Sequence, residues 1–280
     1  MSALLYHGRH GNIQEDCQRF GINLFASLLF KKFRFMFRFW VVMGIAIACF
    51  AACKGNGKRD IKAYYFPTDE LRKGLVYEYE VTQNGVATPE YWYYRSFLRD
   101  SGLFLTSTYY DQFFQIGQIC REKIVENGSQ AREYFLYEPD SLTGGQIQTK
   151  ALITAPDIFP FQVKDSTGVF LFSVNFHPPD DSLATVYVVR NRRFLGDAPE
   201  YEILNKKLPC VRFGLREAIG NEKEGSTEVE GFGEEWYAKG IGLVRYSKTY
   251  GSGSLKIEGR LTNIFPMTVL EQKAAEYFGE

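Results

Sequence analysis

Few residues in this chain could do chemistry, and their spacing argues against most reactions. Beyond residue 53 there is one histidine, His177, followed by Pro178-Pro179. A Ser-His-Asp triad would have to use it, yet no serine elbow stands near. It reads instead as an exposed loop residue. Cys120, His177 and Cys210 are too few and too widely spaced for a zinc site. Glu234-Glu235 is a carboxylate pair, but neighbours along a regular strand point to opposite faces, so the two cannot serve one site. Carboxylates from different strands could still reach glycosidase separation. Asp180-Asp181 reads as a solvated turn, with calcium binding as the alternative. Gly251-Ser252-Gly253-Ser254 has no following Lys-Ser/Thr and no helix, so it is not a phosphate loop. No cofactor is implied. The missing nucleophile-base pair disfavours a hydrolase, which only a cluster of polar groups with perturbed ionisation would revive.

The aromatic residues carry the strongest remaining signal. Tyr91, Trp92, Tyr93 and Tyr94 lie close to Tyr109, Tyr110, Phe113 and Phe114 in one predicted meander. Adjacent aromatics put rings on both faces of a sheet. One face belongs to the core. The other is either covered by a second layer or lines an apolar groove for a lipid, a polymer or a partner protein.

A second chemistry would be done to the chain. Lys31, Lys32, Arg34 and Arg38 precede an apolar run from Phe39 to Ala52, and Phe50-Ala51-Ala52-Cys53 ends it. Positive charge, a short apolar segment and small residues before a cysteine form an export signal. The last four residues resemble the lipobox of bacterial lipoproteins, whose cysteine is acylated and becomes the first residue of the mature protein. Leu is usual where Phe50 stands. Residues 36–52 then form the signal peptide, Cys53 carries the lipid, and residues 53–66 form a tether. The apolar run is shorter than the roughly 20 residues a membrane-spanning helix needs. An uncleaved span, ordinary cleavage without lipid, acylation at Cys49 and a buried core helix are the alternatives. Met36 would make a natural start, so residues 1–35 are either a mis-assigned start or an extended n-region. By family resemblance, Lys54 argues against inner-membrane retention. The resemblance implies an outer-membrane anchor and a membrane partner held through the N-terminal lipid.

Residues 54–280 carry 27 basic against 31 acidic side chains. This mildly acidic, mixed surface gives no footprint for nucleic acid. Their length suits one large β domain, placed at residues 67–280, with two small domains as the alternative. Export permits a Cys120–Cys210 disulfide; two unpaired buried thiols is the alternative.

Period-two patterning begins after a helical turn near Thr68. Leu75, Tyr77, Tyr79 and Val81 share one strand face, and Asn84-Gly85 signals a tight hairpin. Further strands are expected at Tyr91–Leu98, Leu103–Tyr110, Gln112–Glu126 and Ala131–Tyr137. Residues 139–168 read as irregular, because Pro156 and Pro160 limit pairing. Val169–Phe176, Thr185–Val189 and an alternation at Val211, Phe213 and Leu215 follow. The last strands fall at Ser226–Phe232, Glu234–Ala238, Gly242–Tyr250 and Ser254–Leu261, with a closing helix at Val269–Phe278.

Two stretches resemble exported proteins. Tyr65-Phe66-Pro67 followed by Gly74-Leu75-Val76-Tyr77-Glu78-Tyr79 is similar to the opening of many outer-membrane lipoproteins of unknown function. Trp236-Tyr237-Ala238-Lys239-Gly240-Ile241-Gly242-Leu243-Val244 resembles the ending of TapB-like periplasmic proteins. The resemblance implies a curved antiparallel half-barrel or open barrel of the Lol type, with one or two short helices and no catalytic residues. The expected role is a non-enzymatic, lipid-anchored envelope protein that binds an apolar ligand or an envelope partner on its aromatic face. A structural or assembly factor without a ligand cavity is the alternative.

Overall fold

The computed structural model describes residues 58–140, 143–164, 168–222 and 228–279. The signal segment, the lipobox residues Phe50, Ala51 and Ala52, and Cys53 lie outside the described residues.

In chain order the strands are β1 (Arg59–Asp60), β2 (Leu75–Gln83), β3 (Val86–Arg99), β4 (Gly102–Tyr110), β5 (Ile116–Val125), β6 (Gly128–Pro139), β7 (Gln146–Lys150) and β8 (Leu152–Pro160). Then come β9 (Gln162–Val163), β10 (Val169–Phe176), β11 (Val186–Ile203), β12 (Lys206–Asn221), β13 (Glu228–Ala238), β14 (Gly242–Tyr250) and β15 (Leu255–Phe265). One α-helix, α1 (Met267–Phe278), ends the fold, and a short 3-10 turn (Glu70–Lys73) precedes β2. Every main-sheet pairing is antiparallel and follows chain order. β7 and β8 both lie along the same edge of β6, interrupted at Ala151.

The sheet closes. β15 pairs with β2 from Ile257↔Gln83 to Phe265↔Val76. The result is a twelve-strand up-and-down barrel, where a half-barrel or open barrel was expected. The physical reason is that closure joins the first and last long strands. Alternation within a strand reports its faces, not its partners.

Twelve strands enclose more room than the eight whose side chains just fill a barrel. The chain fills one end with its own N-terminal segment. β1 pairs with β9, Ile61 N–H donates to Phe161 O at 2.8 Å, and Gly240 N–H donates to Ala63 O at 2.8 Å. Ile61 and Leu71 are wholly buried, and Tyr65 packs on Phe159 and Phe161. Phe66 stacks on Tyr94 at 4.1 Å. Gly242 makes way for it: a Cβ there would fall 2.5 Å from the Phe66 ring. Residues 59–66, read as the end of a tether, are therefore a plug inside the fold.

The outer face carries ion pairs between strands. Arg260–Glu80, Arg216–Glu230 and Arg212–Glu234 are ion pairs between neighbouring strands on that face. Among the described residues, no helix is long and apolar enough to cross a membrane.

No disulfide forms between Cys120 and Cys210. Both are free and buried, Cys210 in the main core and Cys120 in a smaller cluster with Phe172 and Val174.

Candidate functional site

The predicted aromatic face divides by strand parity. Trp92, Tyr94 and Tyr109 point into the barrel, while Tyr91, Tyr93, Tyr110 and Phe114 point outward. The outward set lies under α1, with Leu270 packed among Val76, Tyr91 and Phe265. Lys273 of the helix pairs with Glu78 at 2.7 Å and sits over the Tyr91 ring. Phe113 remains half-exposed beside Tyr277. The outward rings thus form a packed layer, not an open groove.

The inward set lines a chamber of about 340 Å³. Trp92 and Tyr109, 5.1 Å apart, form an aromatic wall with Tyr94. Glu90 and Tyr109 also border a depression at the β2–β3 and β4–β5 turns. Room for its tyrosines comes from missing side chains. A Cβ on Gly259 would meet the Tyr246 ring at 2.2 Å, and one on Gly231 would meet the Tyr250 ring at 2.4 Å.

Opposite the aromatic wall stands a charge network absent from the sequence reading. Arg192 of β11 grips Glu235 of β13 with two bonds, Nε to Oε2 at 2.6 Å and Nη2 to Oε1 at 3.2 Å. The Tyr237 hydroxyl donates to the same carboxylate at 2.9 Å. Glu217 of β12 accepts from Arg190, from Tyr250, and from Lys248 at 3.1 Å. Glu122 of β5 accepts from the plug residue Tyr65 at 2.6 Å. Of these carboxylates the sequence singles out only Glu235, and strand parity separates it from Glu234, which faces outward toward Arg212.

Electrostatics divide these carboxylates into two kinds. Burial alone would raise Glu217, but Arg190 and Lys248 outweigh it and hold the group well below the usual range. Burial also opposes Arg192 at Glu235, and again the guanidinium prevails. Glu122 and Glu90 are pushed up by burial, which hydrogen bonds from Tyr65 and Tyr246 only partly offset. Burial lowers Lys248.

The signs give opposed pH effects. A lowered carboxylate stabilises the fold fully above its unfolded value of about 4.3, and that contribution is lost as pH falls below it. Raised groups act the other way: the fold resists their ionisation as pH rises through the unfolded value. The paired carboxylates are the better anchored, so acidification from about pH 6 to about pH 3 is expected to lower the melting temperature. In Glu217→Gln that fall should be shallower. An equally steep fall in the variant would show that Glu217 does not carry the acid sensitivity.

The cluster of perturbed groups that would revive a hydrolase is thus present, but its ionised members are tied to one another. His177 is not among the chamber residues and bonds Ala184 O at 2.9 Å. No group of metal ligands occurs among the described residues.

Fold and site together define a plugged antiparallel barrel with an internal chamber. No protein-family model matches the chain, and no curated protein matches it. Two solved structures are similar to it. One is a "putative lipoprotein" from Parabacteroides distasonis, 15% identical, covering 72% of this chain and 97% of its own, with a TM-score of 0.45. The other is a "putative exported protein with YmcC-like fold" from Bacteroides fragilis, 15% identical, covering 71% and 98%, with a TM-score of 0.48. At those scores neither likeness carries an argument about this chain.

Proposed function

We propose that this chain is an exported, lipid-anchored, non-catalytic barrel of the cell envelope, anchored in the outer membrane, that holds a small ligand in its chamber. The observation that carries the binding role is the chamber itself, a space at the lower end of small-molecule sites with an aromatic wall and a few convergent polar groups. Export and anchoring rest on the charged, apolar and small-residue order ending at Cys53. The absence of catalysis is supported by the engagement of Glu217 and Glu235 in ion pairs. The sequence suggested an apolar ligand or an envelope partner; the charged wall favours an amphipathic ligand.

A second reading, assembly by surface contact, draws on one observation. Phe113, Tyr277 and Phe278 form an exposed aromatic cluster at the end of α1.

Anchoring is tested by the intact mass of the protein from a membrane fraction, beside a Cys53→Ser variant. The expected species begins at Cys53 and carries acyl mass, which the variant lacks. An unmodified chain retaining Met1 or Met36 would overturn the anchor.

A further inference from the structure

We propose that the plugged end of the barrel rests on a lipid surface, with Lys58, Lys62 and Lys239 against the headgroups and the opposite, acidic end turned away. This rests on the lipid anchor at Cys53 given above.

The first argument is reach. Five residues of chain lead from Cys53 to Lys58, the first described residue. Fully extended, they span at most about 18 Å. Lys58 belongs to the plugged end, because the next residue, Arg59, pairs with Val163 of β9, just past the end of β8. β2 is nine residues long, and strands of that length, tilted as in closed barrels, set the two ends roughly 20–25 Å apart. An inverted barrel would hold Lys58 above the lipid by at least that distance, which the tether does not cover.

Charge separates the two ends independently. The connections away from the plug are those after β2, β4, β6, β10, β12 and β14. Among the described residues they hold Asp111, Asp140, Asp180, Asp181 and Glu222, and no lysine or arginine. By sequence, residues 223–227 add one lysine and one glutamate, which leaves that balance unchanged. At the plugged end, residues 58–74 carry five basic side chains against three acidic ones. Lys164 and Lys239 in its other connections meet Asp100, Glu126 and Asp165. That end is thus close to balance, with basic residues in slight excess. A surface of anionic headgroups repels the acidic end and admits the other.

The plugged end also offers the contacts. Lys58, Lys62 and Lys239 are exposed. Lys62 and Lys239 border one depression of about 660 Å³ beside the plug, with Asp60, Asp69 and Glu70. The bond from Gly240 N–H to Ala63 O, 2.8 Å long, holds the two lysine-bearing segments together. Lysines there suit headgroup phosphates, and the carboxylates suit headgroup ammonium groups. Exposed apolar side chains do not distinguish the ends: Leu98 and Leu204 stand at turns of the plugged end, Val86 and Leu183 at the other. Reach and charge therefore carry the orientation.

The test places the full-length acylated protein in vesicles of phosphatidylethanolamine and phosphatidylglycerol, with a nitroxide on a fraction of the headgroups. Leu98→Cys and Leu183→Cys each offer an exposed thiol for a fluorophore, whereas Cys120 and Cys210 are buried. The label at position 98 is expected to lose most of its fluorescence to the nitroxide, and the label at position 183 to keep nearly all of it. Combining Lys58→Glu, Lys62→Glu and Lys239→Glu should restore much of the fluorescence at position 98. If this triple variant fails to fold, the comparison of the two labels with the lysines intact still decides. Equal quenching at both positions, or stronger quenching at 183, in a protein that floats with the vesicles would overturn the orientation and leave the anchor standing. Unchanged quenching in the triple variant would overturn the lysine contact. A protein that does not float with the vesicles would overturn the anchor, and this proposal with it.

Discussion

Replacing Glu235 by alanine is expected to cost about 3–5 kcal/mol of stability, which for a domain of this size lowers the melting temperature by roughly 10 °C or more. The magnitude follows from geometry. Arg192 and Glu235 are each about one-twentieth exposed, and they meet through two bonds with Tyr237 completing the carboxylate's shell. Removing one partner strands a full charge away from water, while the Coulomb gain that offset its desolvation disappears. Removing both is a different experiment. The double variant Arg192→Met with Glu235→Leu keeps the volume and deletes both charges, so it should recover most of the loss. The contrast separates a structural ion pair from a merely crowded carboxylate. Chemical denaturation of the two single variants and the double one reads it directly as a coupling. If Glu235→Ala stays within about 1 kcal/mol of wild type, water must reach the pair and screen it as on a surface. The outward pair Arg216–Glu230, on side chains about half exposed, is the internal control, and breaking it should change little.

The same pair explains why part of this fold was legible in the sequence and part was not. β2 is legible through Tyr77, Tyr79 and Val81 and the hairpin through Asn84-Gly85, and the closing helix expected at Val269–Phe278 falls within α1. Both hairpin residues do take positive φ, 49° and 90°. β11 was seen only at its start, because its inward positions include Arg190 and Arg192. A charge facing the core removes the alternation by which a half-buried strand is recognised. The neighbouring strand held a usable clue: the run Val211, Phe213, Leu215 continues with the same parity to Glu217. An inward carboxylate at the end of an apolar series demands a buried cation, and such a cation had to come from another strand.

Prolines misled in a different way. Pro156 and Pro160 lie within β8, and Pro209 lies within β12, where the register breaks between Ala198 and Tyr201 of β11. Bulges absorb the missing donors, so a proline marks an irregularity without ending the strand. Closure of the barrel was beyond reach for another reason. It depends on the pairing of Leu75–Gln83 with a strand some 180 residues later, and nothing local encodes that choice.

Deleting residues 58–66 is expected to be the most damaging change outside the charge network. A short loss of linker would be neutral if these residues were only a tether. As a plug they bury Ile61, Tyr65 and much of Phe66, and each large side chain is worth about 1.5–3 kcal/mol. Deletion would also strip Glu122 of its bond from Tyr65 and uncover Phe159 and Phe161. The loss exceeds about 5 kcal/mol and should leave a chain that is aggregated or open to protease. Two milder variants locate the cause. Tyr65→Phe removes only the hydroxyl and should cost about 1–3 kcal/mol, because a buried carboxylate loses its donor. Gly242→Ala places a methyl in the Phe66 ring and strains a backbone at φ 101°, so it should loosen the plug without touching its sequence. Limited proteolysis with cleavage mapped near residue 66 distinguishes these outcomes. A deletion variant as resistant as wild type would mean that the barrel closes its own end, and that the aromatic residues of the segment merely rest on it. The expected result ties residues 58–66 to the interior of the fold. Tyr65 would then be what keeps Glu122, a carboxylate raised by burial, bonded at the chamber wall.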